Sequence, residues 1–439
     1  MDPSVESDIN EMIRKRDWDN VVQHLCQYDD YQHIEMKNTK DQARGGGRDI
    51  VLLLLKKDKY GWNPLHYACR RSAPVEVVAE LIRVGGKDLV LEKNKYGWNS
   101  LHYACQHKAS VQVISKLVEA GGRDLVLEKS KYDGNPLHHV CRNDTSSEVI
   151  SKLIEVGGRD LVLLKNIRGW TALHYLSFSN NACNISNEML DLFVKQGGED
   201  VFIQKNTDQK TPLHVLISQD VQHNGQKDNT ELAKKASLIL SKGIDLNIGG
   251  EFGIGGLFSL DDDGKVLGDI FVNWNELVLP ALKQIMDVPH SSSQPILQAA
   301  ILNKAPPNVI KDIVIHFTYS TLTKDSLGRF PIDVAVQYNL PWDDGMKEII
   351  EAFASLQQYT AINECARYGL SWENGMNIVL KESVVEDIEK EDEVTGLYPF
   401  MLSALGEKYV YDLASVFNLI KKCPRLVELY SIDSDEKSS

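Results

Sequence analysis

The sequence lacks the cysteine spacing that marks a disulfide framework or a zinc site. Seven cysteines occur in 439 residues, and no two of them form a Cys-x-x-Cys pair. Isolated cysteines in a long chain are expected to be free thiols, which persist in a reducing compartment. We therefore expect a cytoplasmic or nuclear protein.

Long apolar runs and export signals are also missing. The densest apolar run, at 50–55, is far shorter than the roughly 20 residues that cross a bilayer. Residues 1–10 carry three acidic side chains and neither the basic nor the apolar segment of a secretory signal. The sequence therefore predicts a soluble protein that makes no contact with a membrane.

Basic residues are in the minority. The chain has 48 Lys and Arg against 62 Asp and Glu, so its formal net charge is −14. An excess of negative charge disfavours nonspecific binding to a phosphate backbone. Nucleic acid is therefore not the expected partner, although a local basic patch stays compatible with this composition.

Motifs for catalysis, phosphate binding and metal binding are absent as well. The glycines at 250–256 do not reproduce G-x-G-x-x-G, and no Gly-Lys-Ser/Thr follows them. If Gly264 were the sixth residue of a calcium loop, the first and twelfth would be Ser259 and Ile270, and Ile270 has no oxygen ligand. We expect no enzyme activity, no cofactor and no metal. An enzyme housed in the irregular segment 243–294 is the least favoured alternative.

The sequence does contain an internal repeat. Its marker histidines lie 36, 36, 36 and 40 residues apart, at His66, His102, His138, His174 and His214. Each unit reads as a short helix, a longer helix with apolar pairs four residues apart, and a double glycine. We expect the double glycine to end the second helix, and an extended stretch such as 124–129 with a glycine turn to form a hairpin-like finger. Helices this short are marginal alone, so the units are expected to stack side by side.

These residues resemble a known family. The string YGWNSLHYAC at 96–105 is similar to the ankyrin repeat, whose signature is T-P-L-H-x-A, and TPLH at 211–214 matches the first four letters. The resemblance covers about 46–245 and implies an all-α, ankyrin-type helical repeat solenoid with hairpin-like fingers. It also implies that the marker histidines make structural hydrogen bonds rather than bind metal.

The sequence departs from the family pattern in two ways. The unit is about three residues longer than the usual 33, which predicts longer fingers. In addition, asparagine replaces the signature threonine at Asn63, Asn99 and Asn135. The hydrogen bond of that threonine is therefore made by asparagine or lost.

Four weaker copies follow, and they lack the marker histidine. They begin at Pro295, Pro331, Ala361 and Pro399. We predict five regions, namely an N-terminal helical cap over 1–44, ankyrin repeats over 45–245, an irregular insertion or joint over 246–294, degenerate ankyrin-like repeats over 295–430, and a polar tail over 431–439. The sequence does not decide whether the two arrays stack continuously.

The predicted finger tips carry cationic and aromatic side chains at recurring positions. The candidate partner-binding residues are Lys59, Tyr60, Trp62, Lys95, Tyr96, Trp98, Lys131, Tyr132, Arg168 and Trp170. Stacked units would align them along one edge, and such side chains are enriched among binding hot spots. The alternative is that the lysines are solvated and the tryptophans brace the fingers. On the binding interpretation, Trp98→Ala weakens partner binding and leaves thermal melting intact.

The resemblance implies a function as well as a fold. We expect a non-catalytic scaffold, monomeric, that binds a protein partner of unknown identity through its fingers and concave face. The alternative is binding of nucleic acid or another anionic ligand through the finger lysines, which would weaken steeply with salt. The acidic segment 382–393 is expected to be a solvated loop or helix face.

Overall fold

The structure is a computed structural model, and it divides into two compact units, Met1–Lys242 and Gly243–Ser439. It describes residues 8–424 except for 24–53, 132–133, 144–145, 179–184, 220–229, 261–265, 267–268, 287–293, 358–359, 369, 371–375, 383–387, 389, 392–394, 396 and 406–412. Several predictions lie outside the described residues. These are the role of Tyr132, most of the cap over 1–44, the polar tail and most of the acidic segment 382–393.

The described part of the first unit consists of paired helices joined by turns. Repeats 1 to 3 each have a seven-residue first helix and a seventeen-residue second helix, at Pro64–Arg70 and Val75–Leu91, Ser100–Gln106 and Val111–Leu127, and Pro136–Arg142 and Ser147–Leu163. Repeats 4 and 5 follow with Ala172–Phe178, Asn187–Gly197 and Asp200–Ile203, then Pro212–Ile217 and Thr230–Asp245. First helices contact first helices and second helices contact second helices along the row. The all-α solenoid predicted from the sequence is therefore confirmed.

Asparagine and the marker histidine together begin each first helix of repeats 1 to 3. In repeat 1 the Asn63 Oδ1 accepts from the His66 backbone N–H at 2.9 Å, and the His66 Nδ1 accepts from the Asn63 N–H at 3.1 Å. This reciprocal arrangement satisfies two amide groups that a helix start leaves without partners. The Asn63 Nδ2 also donates to the Leu89 carbonyl at 3.2 Å. Asparagine therefore makes the hydrogen bond expected of threonine and adds a second one to the end of the second helix.

The double glycine kinks the second helix instead of ending it. Gly122 has φ 66° and ψ −158°, and helical backbone resumes immediately and runs to Leu127. Leu125 and Val126 lie in that last turn with their side chains fully buried. The predicted extended stretch at 124–129 is therefore wrong over most of its length. The residues after the double glycine therefore belong to the second helix, and the prediction of longer fingers stays a prediction.

The core of the first unit lies between the paired helices. Its second helices contribute apolar residues that recur every 36 positions, Val77, Val78 and Leu81, then Val113, Ile114 and Leu117, then Val149, Ile150 and Leu153. Fully burying one such side chain is worth roughly 1.5 to 3 kcal/mol. Because neighbouring repeats share these contacts, stacking stabilises helices that would not form alone.

The residues after the double glycine tie neighbouring repeats together. Arg123 donates from Nη2 to the Asp160 carboxylate at 2.5 Å and to the Gly157 carbonyl at 3.4 Å. Arg159 makes the same pair of contacts with Asp200 and with the Gly197 carbonyl. The recurring Gly-Gly-Arg-Asp string is therefore an inter-repeat clasp, in which the basic residue of one repeat holds the acid of the next.

A helix at Asp8–Lys15 precedes the repeats and packs on the first helix of repeat 1. Its Ile9 and Ile13 are buried, and the Arg14 Nη2 donates to the Tyr67 hydroxyl at 3.2 Å. An amphipathic helix in this place, with its apolar side on the repeat, shields the open side of the first repeat from water.

The second unit also contains paired helices. They are Ile296–Leu302 with Pro307–His316, Pro331–Gln337 with Met346–Gln357, Ala361–Arg367 with Asn377–Glu382, and Pro399–Leu405 with Leu413–Lys422. Before them stand turns at 246–259, a short helix at Asp269–Val272, a π-helix at Trp274–Val278 and a helix at Leu279–Met286. No helix among the described residues is both long and apolar enough to span a membrane.

Other polar residues take the histidine position in the second unit. The Gln298 Nε2 donates to the Thr323 carbonyl at 2.6 Å, and the Asn363 Nδ2 donates to the Lys390 carbonyl at 3.3 Å. Asp333 supplies the other half of the histidine's role, since its Oδ2 accepts from the Phe330 N–H at 2.9 Å. Three of the four degenerate copies therefore keep part of the hydrogen bonding of the pattern while losing its signature residue, and the fourth has Met401 at this position.

Candidate functional site

Most fingers are tight turns closed by an aspartate or asparagine side chain. In finger 2 (94–98) the Asn94 Oδ1 accepts from the N–H groups of Tyr96 at 2.8 Å and Trp98 at 2.9 Å. The Asn94 N–H donates to the Trp98 carbonyl at 2.9 Å, and Gly97 between them has φ 79°. Such side chains stabilise turns by accepting from backbone two residues onward. Finger 2 is therefore held in shape before any partner arrives.

The same residue type recurs in other fingers, and the sequence reasoning missed it. Its equivalents are Asp58, Asn166 and Asn206 in the first unit and Asp325 in the second. The signal was present in the sequence, because each of these residues stands three positions before the glycine of the turn or its equivalent.

Neighbouring fingers are joined by backbone hydrogen bonds. The Lys95 N–H donates to the Tyr60 carbonyl at 3.1 Å, and the Lys131 N–H donates to the Tyr96 carbonyl at 3.0 Å. A Cβ at Gly61 would lie only 2.9 Å from the Lys95 nitrogen, so glycine is what allows the two backbones to approach. Fingers 1 to 3 (58–62, 94–98 and 130–134) therefore form one continuous rim, which we call the finger edge.

The tips of the finger edge expose cations and aromatic rings. Tyr60 is 48% and Tyr96 49% exposed, and Lys59, Lys95 and Lys131 are exposed beside them. Within the described part of the chain these three lysines form no ion pair, and the Lys59 Nζ lies 5.0 Å from the centre of the Tyr60 ring. The structure thus aligns five of the ten predicted partner-binding residues on one rim.

Lysines at the base of the fingers behave differently. The Lys57 Nζ donates to the Lys93 carbonyl at 3.2 Å and pairs with Glu92. The Lys129 Nζ donates in the same way to the Lys165 carbonyl at 3.0 Å. These base lysines join one repeat to the next, so they are already engaged in the fold and differ from the tip lysines.

The finger tryptophans pack between repeats. The Trp98 ring centre lies 4.9 Å from that of Tyr103 in its own repeat and 4.6 Å from that of His139 in the next. Trp62 makes the matching contacts with Tyr67 and Tyr103 at 4.9 and 4.4 Å. Both indoles are only partly exposed. These contacts favour the bracing interpretation of the tryptophans, while leaving one edge of each ring at the surface.

The fourth finger presents a different tip. Its Ile167 is 68% exposed at the position of Lys95, and Arg168 stands at the position of Tyr96. Trp170 packs on Tyr175 at 5.1 Å, and the Thr207 N–H donates to the Arg168 carbonyl at 3.1 Å. The rim therefore continues past finger 3, but with altered chemistry.

The marker histidines are buried in structural contacts. The Nε2 atoms of His66 and His174 each lie 3.1 Å from a carbonyl in the finger of the next repeat, that of Trp98 and that of Lys210. The His138 Nε2 instead lies 3.1 Å from the Leu164 carbonyl, at the end of its own second helix. Burial lowers the pKa of His66 and of His174 to about 4, although these hydrogen bonds oppose that shift. The imidazoles are therefore neutral at pH 7. Among the described residues, no group of three or more potential ligands is placed to hold a metal ion.

The third repeat breaks the finger pattern at three positions. Gly134 stands where fingers 1, 2 and 4 have tryptophan, Ser130 replaces the asparagine or aspartate that closes the turn, and His139 replaces the first-helix tyrosine of repeats 1, 2 and 4. In repeats 1, 2 and 4 that tyrosine makes a hydrogen bond with the residue that closes the turn, as in the 2.7 Å bond from the Asn94 Nδ2 to the Tyr103 hydroxyl. His139 instead lies 2.7 Å from the Gln106 Oε1 of the preceding repeat. His139 therefore joins the first helix of repeat 3 to repeat 2.

Known proteins resemble this chain at low identity. No curated protein matches it. A chain from the complex of the predatory endopeptidase Bd0816 of Bdellovibrio bacteriovorus with the immunity protein Bd3460 is 20% identical, over 47% of this chain and 89% of that one, with a TM-score of 0.33. The ankyrin repeat protein EF0377 is 18% identical over 44% and 88%, with a TM-score of 0.32. The ankyrin repeat domain of Bcl-3 is 18% identical over 47% and 92%, with a TM-score of 0.31.

A family model gives the assignment. The model for ankyrin repeats in three copies matches residues 42–129. That span includes fingers 1 and 2, the first helices that follow them, and the asparagine and histidine pairs that begin those helices. Residues 42–129 of this chain are therefore ankyrin repeats.

Proposed function

We propose that this protein is a non-catalytic scaffold that binds a protein partner along the finger edge. Ankyrin repeats are generally protein–protein interaction modules. The observation that carries the proposal is the row of exposed tyrosines and lysines on fingers joined by backbone hydrogen bonds, where the lysines form no ion pair with any residue that the structure describes. A preorganised surface loses little conformational entropy when it binds.

Burial of the potential catalytic groups supports the non-catalytic part of the proposal. Cys69, Cys105 and Cys141 are buried, and burial raises the pKa of the Cys69 and Cys105 thiols, so none of the three offers a thiolate at the surface. The marker histidines are enclosed as well and are occupied by structural hydrogen bonds. Free, buried thiols also support a cytoplasmic or nuclear location, where cysteines remain reduced.

Site-specific photocrosslinking tests the proposal. The photoreactive residue p-benzoylphenylalanine is placed at Tyr96, and in a matched variant at Lys195, which is exposed on the second helix of repeat 4. Irradiation in native lysate is expected to give a discrete protein adduct from position 96 and none from position 195. Equal adducts from both positions would exclude the finger edge as the binding surface. An adduct that nuclease digests would favour nucleic acid.

A further inference from the structure

We propose that the finger edge binds an extended, acidic stretch of polypeptide that carries a carboxylate at every third residue. This inference rests on the proposed function and names the chemistry of its partner. It depends on three properties of the finger edge, namely its free positive charge, its spacing and the tyrosine beside each lysine.

The free charge of the finger-edge residues that the structure describes is positive. Lys59, Lys95 and Lys131 are exposed and form no ion pair with any residue that the structure describes, whereas the base lysines are held by the next repeat. The carboxylate of Asp58 in finger 1 accepts from the Tyr60 N–H, the Trp62 N–H and the Tyr67 hydroxyl. It is therefore occupied within the finger, and three ammonium groups remain for a partner. Complementary charge selects a partner that is acidic.

The spacing of the finger edge sets the spacing of the partner's charges. Packed helices lie about 8–10 Å apart, so equivalent tips of adjacent repeats are roughly 10 Å apart. An extended chain in the polyproline II conformation rises about 3.1 Å per residue with three residues per turn, so every third side chain lies on one face, about 9 Å from the next. A segment with acidic residues at positions i, i+3 and i+6 matches three fingers. A nucleic-acid strand carries a charge about every 3.4 Å along its whole length, so its binding would not depend on a three-residue spacing of charges.

The tyrosines fit an extended peptide as well. Tyr60 and Tyr96 are half exposed immediately after the tip lysines, so each of those tips offers a phenol and an ammonium group. A carboxylate accepts from both kinds of donor. The ring face can cover the peptide residues between the carboxylates, as tyrosine does at many interfaces.

The lysine row ends at finger 3. Ile167 holds the lysine position in finger 4, and Thr207 holds it in finger 5. Neither side chain carries a charge. The lysine row therefore sets the spacing of three carboxylates, and the one cation at the tip of finger 4, Arg168, stands one position out of the lysine register.

Synthetic peptides test this inference against the full-length chain. Four fluorescein-labelled peptides have the same length and composition, with three glutamates placed at every third position, consecutively, at every second position, or at every seventh position. Fluorescence anisotropy is expected to give a dissociation constant for the every-third peptide at least roughly fivefold lower than for its isomers. A single-stranded oligonucleotide of equal charge is the comparison ligand.

Charge reversal locates the contact. Lys95→Glu is expected to weaken binding of the every-third peptide roughly tenfold, since a like-charge contact replaces an attractive one. A peptide whose central glutamate is replaced by lysine is expected to regain affinity for that variant. Lys195→Glu is the matched control and leaves the affinity unchanged. Circular dichroism confirms that both variants fold.

Three outcomes would overturn the inference. They are equal affinity for all four isomers, tighter binding of the every-seventh peptide, which matches a helix instead of an extended chain, and tighter binding of the oligonucleotide. If one of them occurs while Tyr96 still crosslinks to a protein, the proposed function stands and only the partner chemistry is wrong. If the crosslink also fails, both are wrong.

Discussion

Trp98 shows how one side chain can serve both the fold and the binding surface. Its ring lies between Tyr103 and His139, which belong to successive repeats. Aromatic pairs of this kind add roughly 0.5 to 1.5 kcal/mol beyond the area they bury. The ring is therefore part of the junction between repeats 2 and 3, even though its position in the finger suggested a role in binding.

We predict that Trp98→Ala destabilises the first unit by about 2 to 3 kcal/mol, because it removes a partly buried ring and both of its stacking contacts. Thermal unfolding followed by circular dichroism measures the effect. Tyr96→Ala is the control, since Tyr96 is half exposed at the tip, and we expect it to change stability by less than about 0.5 kcal/mol. An unchanged melting temperature for Trp98→Ala would restore the original interpretation, in which the tryptophan serves binding alone.

Single residues differ in how much of their role the sequence discloses. Asn63 and His66 could be predicted as a helix start, because a helix start needs side-chain partners for its free amide groups. Asn94 could not be recognised as readily. Its contacts run to the backbone of its own turn and leave no hydrophobic pattern in the sequence. The neighbouring Lys95 and Tyr96, in contrast, have the side chains expected of a binding surface. The sequence also does not distinguish the exposed tip lysines from the base lysines. That difference depends on which lysine lies close enough to donate to a backbone carbonyl of the next repeat.

At the level of the helix, the double glycine misled the sequence reasoning for a physical reason. The segment after it, such as Asp124–Leu127, is a short apolar run that fits a strand or a helix equally well. The structure selects a helix because Leu125 and Val126 both become buried there. The two glycines have separate roles. A Cβ at Gly121 would lie 2.6 Å from Leu125 side-chain carbons, whereas a Cβ at Gly122 would meet no atom within 4 Å.

We predict that Gly122→Ala and Gly122→Asn destabilise the first unit equally, by about 1 to 3 kcal/mol. The reason is the backbone of Gly122, with φ 66° and ψ −158°, a combination that glycine alone adopts readily. Asparagine tolerates ordinary left-handed helical backbone, which has a ψ near +47°, but not this conformation. Urea unfolding of both variants measures the loss. Recovery of stability with asparagine would show that the kink is an ordinary left-handed turn.

For the whole molecule, the sequence predicted the repeat more securely than its variations. The 36-residue period predicts repeats 1 to 4, because stacked units must bury the same faces. The second unit was harder to predict, since Gln298, Asp333 and Asn363 replace histidine while keeping parts of its hydrogen bonding. The segment 243–294 has no period from which a fold could be predicted.

Acidification is expected to destabilise the first unit, because its histidines are buried in the neutral form. Burial lowers the pKa of the side chains to about 3 to 4 at His66, His138, His139 and His174. In the unfolded chain a histidine has a pKa near 6.5 and takes up a proton first. The stability from these groups is therefore complete above about pH 6.5 and is lost as the pH falls towards 4.

We predict that His66→Gln reduces this pH dependence by the share of one histidine, about 1.4 kcal/mol per pH unit below pH 6. Glutamine is the chosen replacement because Gln298 already donates to a backbone carbonyl at the equivalent position of the second unit, and it has no proton to gain. Urea unfolding at pH 7.5 and 5.5 gives the slope for the parent chain and the variant. A variant with the parent's slope would mean that His66 is protonated in the folded state, because only a group with different pKa values in the two states makes stability depend on pH.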